Sequence, residues 1–417
     1  MNPKRKPPVP IIDNLGQIGN PYRQKQFSVD QYLDQPVDGI EVDLEHALKF
    51  LYSYNGSTAT FNSYRRELER LLQWAWRIEQ ISVLTLRREH IEDFVRFCLK
   101  PPTAWIGTKN VSRFKNQQGE RVANEKWRPF VVSVPKSEFR DGQTAEAKQF
   151  SLSQSAIKAI FTILSSFYDY LLQEHLVDVN PVALIRQKNK FVRRDQTKAV
   201  VRRISNIQWD YVLETAEIMA AEHSVEHERT LFIMNCLYAM YLRISELVAD
   251  ERSEPVMGDF RKDQDGNWWF HVTGKGNKDR IITVCNEMLT ALKRYRKFLG
   301  LSSLPGASEK TPLIAKTKGQ GPVTSTRHIR RIVQLCFDTA FQRMADDGLQ
   351  EDAEDLRLAT VHWLRHTGIS EDVKFRPREH VRDDAGHASM ATTDRYIESD
   401  MRERHESGRQ KRLKEIY

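Results

Sequence analysis

Apolar residues recur at helical spacing over most of this chain and alternate over only short stretches. Leu44, Ala47, Leu48 and Leu51 fall at i, i+3, i+4 and i+7, the spacing of one buried helical face. A second face runs through Tyr64, Leu68, Leu71, Leu72 and Ala75, with arginines on its other side. A third holds Ile91, Phe94, Val95, Phe97 and Leu99 and is closed by Pro101 and Pro102. A later helix, starting after Ser151 or Ser153, carries Ile157, Ile160, Phe161, Leu164, Phe167, Tyr168 and Leu171. It stops near Asn180-Pro181, because the residue before a proline is pushed out of the helical region. The pattern predicts a domain of four or five helices over residues 42–187, preceded by an arm, 1–41, with at most short structure.

Residues 101–150 interrupt that domain. Phe130 to Val134 reads as a strand and Asn116 to Gly119 as a turn. About fifty residues exceed a plain loop in a compact domain, so this is an insertion with its own structure or function. A second domain, 204–399, opens with helices through Trp209–Ala221 and Glu228–Leu242. A strand from Trp268 to Thr273, a Gly274-Lys275-Gly276 turn and a strand from Arg280 to Val284 follow. Helical patterns then cover 285–299, 326–345 and 357–372, leaving 400–417 as a tail. The fold class expected is mainly α, with a small β-sheet in an α+β second domain.

Composition narrows the picture. A chain of 417 residues, 40% hydrophobic and 29% charged, is sized for two or three globular domains. Its longest apolar run, Leu231 to Leu242, is about twelve residues and contains Asn235, whereas a bilayer needs about 20. The basic N-terminus lacks the apolar stretch of a secretory signal, so a cytoplasmic location is expected. Cys98, Cys236, Cys285 and Cys336 are scattered, with no CxxC pair and no zinc spacing. A net charge of +8 favours a polyanionic partner. Seven of the basic residues, against the single acid Asp195, crowd between Gln187 and Arg203. That run is either a solvated linker or one that follows a phosphate backbone.

Cleaving a phosphodiester requires an in-line nucleophile, cations on the non-bridging oxygens and an acid for the departing alkoxide. Four segments of the second domain hold such groups. In Tyr238-Ala239-Met240-Tyr241-Leu242-Arg243-Ile244-Ser245-Glu246-Leu247 an arginine ends an apolar helix, with a glutamate three residues on. The guanidinium is a planar fork suited to two phosphate oxygens, although a surface Arg–Glu pair has the same spacing. In Thr273-Gly274-Lys275-Gly276-Asn277-Lys278-Asp279-Arg280, glycines on both sides let a lysine approach a backbone, or simply mark a solvated turn. His362 and Arg365 stand at i, i+3 and would face one point from a helix. Gly386-His387 precedes Tyr396, and a lone tyrosine is by default a packing residue.

Together these segments resemble the tyrosine recombinase (phage integrase) family. The family's LLYxTGLRxxEL box is similar to Leu237–Leu247, its hairpin lysine to Lys275, its HxxR box to His362 and Arg365, and its GH box to Gly386-His387, with the nucleophile at Tyr396. Five elements in the right order are specific where each alone is weak. Two departures stand out. Met240-Tyr241 replaces the usual Thr-Gly, which bears on how the helix end packs, and His380–Ala385 is far more polar than the usual apolar helix, which bears on how rigidly His387 is held.

The resemblance implies a helical core-binding (SAM-like) domain and a catalytic domain closing as a C-shaped clamp on double-stranded DNA, with the 188–203 linker crossing the backbone. Lys188, Lys190, Arg193, Arg194, Lys198, Arg202 and Arg203 would then contact phosphates. It implies that Tyr396 forms a 3′-phosphotyrosyl link and that Arg243 and Arg365 hold the phosphate. Lys275 would be the general acid, His362 the general base, His387 a phosphate hydrogen-bond partner and Glu246 a support. No metal and no cofactor are implied. The partner is DNA bearing recombination sites at the bacterial nucleoid, bound by a homo-tetramer across two duplexes, with the 400–417 tail exchanged between subunits. Within the family, the arm and the insertion favour a mobile-element integrase over a Xer-type dimer resolvase. A type IB topoisomerase-like enzyme and a non-catalytic DNA-binding accessory protein are the alternatives.

Overall fold

A computed structural model describes residues 7–21, 36–185, 191, 202–251, 253–274, 278–396 and 408–409. The chain divides into two compact units, Met1–Gln196 and Thr197–Tyr417. Among the described residues no helix is long and apolar enough to cross a membrane.

In the first unit the predicted helical faces become α1 (Ile40–Tyr52), α2 (Thr58–Trp74) and α3 (Arg88–Leu99). The insertion then supplies β1 (Ile106–Gly107), β2 (Phe114–Gln117), β3 (Glu120–Ala123), β4 (Phe130–Val131) and α4 (Lys136–Arg140), before α5 (Gln154–Gln173) completes the unit. Side-chain oxygens of Ser57 and Ser153 cap α2 and α5 by accepting from the amides of Thr60 and Ala156. Leu48, Leu51, Phe61, Leu68, Phe94, Leu164 and Phe167 meet in one core.

The insertion is folded. β2 and β3 form an antiparallel hairpin whose two turn residues, Gln118 and Gly119, both have positive φ (52° and 85°), the geometry that matches strand twist. The strand expected over 130–134 is only two residues long and pairs in parallel with β1, Ile106 opposite Phe130. Phe130 is fully buried, and Arg70 of α2 lies 4.4 Å above its ring while donating to the Pro129 carbonyl. Residues 7–21 pack on the same helix: Ile12 is buried, and Arg65 donates to the Asp13 carbonyl at 2.7 Å.

The second unit begins with α6 (Asn206–Glu222) and α7 (Ser224–Ala239). Strands β5 (Phe260–Lys262), β6 (Trp268–Gly274) and β7 (Lys278–Thr283) make an antiparallel sheet in that order, with β5 an addition to the expected pair. Then come α8 (Asn286–Phe298), α9 (Thr326–Asp346), α10 (Gln350–Leu358), α11 (Val361–Asp372), α12 (Arg378–Ala385) and α13 (Met390–Thr393), the last running into a single tight turn that ends at Tyr396. The 357–372 helix is broken at 359–360, so His362 and Arg365 lie on the first turns of α11. Mainly helical units with small sheets are the expected class.

One expectation fails at a decisive place. Arg243 does not end a helix: α7 stops at Ala239, and Tyr241 takes a left-handed φ of 50° that no L-residue continues a helix through. Arg243 is extended and begins a short turn, Ile244–Glu246.

That helix end is met from the other side by α11. A Cβ on Gly368 would stand 2.2 Å from the Tyr238 carbonyl oxygen and 3.2 Å from the Tyr241 ring. Only glycine allows this approach, which sets the height of α11 against the turn carrying Arg243. Gly368→Ala is therefore expected to destabilise the protein by ~1–3 kcal/mol. Denaturant titration with an unchanged m-value and a lowered midpoint checks it; an unchanged midpoint would show that the helices separate freely.

Candidate active site

Glu246 is buried and holds two arginines. Arg280 of β7 donates to both of its oxygens, Nη1 to Oε1 at 2.7 Å and Nη2 to Oε2 at 2.8 Å. Arg243 adds its backbone amide to Oε2 at 2.7 Å and its Nη1 to Oε1 at 2.9 Å. Burial pushes the Glu246 carboxyl up, but the Arg280 hydrogen bonds and the charges of both arginines outweigh it, leaving the pKa below the ordinary range. Arg280 also donates from Nε to the Asp384 carbonyl at 3.1 Å, and Arg243 from Nη2 to the Gly386 carbonyl at 3.3 Å. Gly386 has a φ of 64°, and a Cβ there would lie 2.7 Å from the Arg280 side chain.

Arg365, on α11, is 5% exposed. Its Nη1 donates to the Tyr241 carbonyl and its Nη2 to the Ala385 carbonyl at 2.5 Å. Burial, then the like charges of Arg243 and Arg280, lower its pKa to about 10, so it stays charged at neutral pH. Three guanidinium groups thus converge with the Glu246 carboxylate among them. The positive excess is a standing demand for an anion.

Tyr396 is 8% exposed, and its hydroxyl lies 2.7 Å from Nδ1 of His366. His387 stacks on the Tyr396 ring at 5.7 Å and 13°, with its Nδ1 2.9 Å from the Thr393 hydroxyl. Burial first, then neighbouring His362 and Arg365, lowers the His366 pKa to about 4. His387 falls to about 4 for the same first reason, helped by Arg365 and Arg243. Both are neutral at pH 7, so His366 is able to accept the tyrosine proton. His362 is exposed, one turn before His366 on α11, and is also shifted down by burial and then by Arg330 and Arg365.

The structure therefore gathers Arg243, Glu246, Arg365, His387 and Tyr396 around one point, with His362 at its exposed margin. Lys275 lies outside the described residues, as do Lys188, Lys190, Arg193, Arg194 and Lys198. Arg202 is exposed and Arg203 half-buried, just ahead of α6. The residues 400–407 and 410–417 of the tail are also outside the description. Two residues that sequence reasoning missed are Arg280 and His366. Strand alternation carried a signal for the first, since Ile282 two positions on is fully buried and points to the same face. His366 stands at i+4 from His362, one helical turn away.

A tyrosine hydroxyl bonded to a neutral histidine, beside three guanidinium groups, is the makeup of a site for nucleophilic attack on a phosphodiester. No family model matches the chain. The tyrosine recombinase XerC of Chlorobaculum parvum is 25% identical over 265 residues, 61% of this chain and 69% of that one. In fold, the chain is similar to the XerH site-specific recombinase bound to palindromic difH substrate in a post-cleavage complex, with a TM-score of 0.54 at 14% identity over 88% of this chain and 84% of that one. It is also similar to a lambda integrase dimer bound to a COC′ core site, with a TM-score of 0.51 at 13% identity over 90% and 99% of the two chains. In sequence the chain is thus similar to tyrosine recombinases, and in fold to two solved structures of that family.

The depressed histidines make a stability prediction. As pH falls through about 6.5, the unfolded chain protonates His366 and His387 while the folded protein resists until about 4. Folding stability contributed by their neutral forms is present above about 6.5 and is lost across that window. The thermal midpoint of the DNA-free protein should fall from pH 6.5 to 4, and fall less in a His366→Gln/His387→Gln variant. Identical slopes for the two proteins would show that these histidines are not held neutral.

Proposed function

We propose that this tyrosine site-specific recombinase cuts DNA by attack of the Tyr396 hydroxyl on a backbone phosphate. The observation that carries the reading is the buried Tyr396, bonded to His366 beside Arg243, Arg280 and Arg365. A bond forms between the tyrosine oxygen and phosphorus, the bond to the 5′ oxygen breaks, and a 3′-phosphotyrosyl link remains. The tyrosine proton passes to the α11 histidines, of which His366 is within hydrogen-bond distance. Lys275 gives a proton to the departing 5′ oxygen. Arg243 and Arg365 neutralise the non-bridging oxygens, His387 hydrogen-bonds the phosphate, and Glu246 orients the arginines around it. The covalent link keeps the bond energy, so the reverse attack by a 5′-hydroxyl rejoins the strand without ATP.

The Tyr396→Phe variant should bind DNA as the unmodified chain does, yet form no SDS-resistant adduct on a nicked suicide duplex. The unmodified chain should form that adduct in excess EDTA, since its guanidinium groups supply the charge. Adduct from the phenylalanine variant would remove the nucleophile assignment, and a strict magnesium requirement would point to metal-assisted cleavage.

For the biological reaction we favour integration or excision of a mobile element by a homo-tetramer that clamps two duplexes, with the basic linker on the backbone and the tail exchanged between subunits. The support is the folded 101–150 insertion and the packed N-terminal segment, which add length to the core-binding part. Expressed beside its native flanking DNA, the protein should produce sequenced junctions that join element ends to a target. Junctions confined to resolving two chromosome copies would favour a Xer-type resolvase, and relaxation of plasmids lacking any site would favour a topoisomerase.

A further inference from the structure

The two places where this chain departs from its family's sequence pattern are physically joined. Tyr241 stands where the pattern has glycine, and it keeps the left-handed φ of 50° that a glycine would adopt without strain. Its ring is fully buried and its hydroxyl donates to the Asp372 carboxylate. Burial, then Asp372, holds the phenol protonated, so the hydroxyl acts as a donor. Arg376 donates from Nη1 to Asp372 Oδ2 at 2.8 Å and to the Tyr241 hydroxyl oxygen at 3.0 Å. From Nη2 it donates to Asp384 Oδ2 at 2.6 Å. Asp384 is one of the polar residues in the helix where the family is apolar, and it is 5% exposed. Its other oxygen accepts from the Thr283 amide at 3.1 Å, tying α12 to β7.

This chain of alternating charge runs from the turn after α7, across the end of α11, to α12 and the sheet. Arg365 sits astride it. One acceptor of the Arg365 guanidinium is the carbonyl of Tyr241, the first member of the chain, and the other is the carbonyl of Ala385, next to the last member. The spacing of those two carbonyls fixes the guanidinium plane, and the polar chain fixes their spacing. Buried polar chains of this kind hold one arrangement only when every member is satisfied.

We propose that Tyr241, Arg376 and Asp384 are positioning residues that set the plane of Arg365 toward the scissile phosphate, a polar brace doing what a glycine and an apolar helix do in the family pattern. The proposal rests on the phosphate-binding role given to Arg365 above. A guanidinium misplaced by about 1 Å forfeits rate more than affinity, because the other phosphate contacts hold the duplex while the charge on the non-bridging oxygens that Arg365 must meet grows in the transition state.

The test compares the full-length protein with Tyr241→Phe, which removes one hydroxyl, and with Asp384→Asn and Arg376→Leu. Three quantities are measured: half-site DNA affinity, thermal midpoint, and single-turnover adduct formation on nicked duplexes. The duplexes carry either the ordinary phosphate or a methylphosphonate at the scissile position. The methylphosphonate lacks one non-bridging oxygen charge and so needs less from Arg365. Adduct formation on the phosphate should slow roughly 10- to 100-fold, with half-site affinity unchanged, and the deficit should largely vanish on the methylphosphonate. Arg376→Lys, which keeps the charge, should recover part of the rate. Equal slowing on both duplexes, or slowing that follows loss of folded protein, would make the chain a structural staple and overturn the proposal. Should Asp384→Asn or Arg376→Leu not fold, Tyr241→Phe decides alone. An unmodified chain that forms no adduct on either duplex would remove the recombinase reading itself, whereas unimpaired variants beside an active unmodified chain would remove only this inference.

Discussion

Held between two guanidinium groups, the buried Glu246 carboxylate joins the turn after α7 to strand β7. Through Arg280 and Arg243 it also reaches the backbone of α12 and the Gly386 turn. Removing one partner of such a cluster leaves a charge buried and unpaired, which costs several kcal/mol where an exposed pair costs little. The carboxylate is therefore what lets three segments far apart in the chain share one small volume. Without it, Arg243 and Arg280 would repel one another out of the site that they line.

The charge left over explains the rest of the site's electrostatics. Glu246 offsets only part of the positive charge of Arg243, Arg280 and Arg365, and burial of Arg365 intensifies what remains. That same field helps to keep His366 and His387 neutral, on top of their burial. A neutral imidazole beside a tyrosine hydroxyl is a proton acceptor, and an unbalanced cluster of guanidiniums is an anion receptor. One electrostatic arrangement thus prepares both the nucleophile and the place where its target would bind.

The first unit uses arginine differently. Arg65 and Arg70 are buried against backbone carbonyls of the N-terminal segment and the insertion, and Arg113 stacks 4.5 Å from the Trp127 ring. Here the planar guanidinium serves as a packing element that satisfies carbonyls which a helix or sheet would otherwise have to pair. The insertion and the N-terminal segment are attached to α2 by this means, which is why segments of low periodicity are nonetheless ordered against the helical core.

Helices α1, α2, α3 and α5, the β6–β7 hairpin and the mainly helical class were determined by the sequence itself, because each follows from a local period of apolar residues. Resemblance to the ordered motifs of a known family singled out Arg243, Arg365, His387 and Tyr396, since motif order is a property of the chain. Only the tertiary structure decided where α7 ends, that Arg280 and His366 join the site, and that Tyr241 and Asp384 are linked through Arg376. A left-handed residue such as Tyr241 is held by Asp372 and Arg376, which lie more than a hundred positions away, and Arg376 is held in turn by Asp384. The conformation is paid for by contacts that no local pattern contains. Glu246 is what brings Arg280 into the site, and Arg376 and Thr283 are what satisfy the buried Asp384 of the polar α12. Periodicity tells which face of an element is buried, whereas the pairing of buried charges depends on what the opposite face brings.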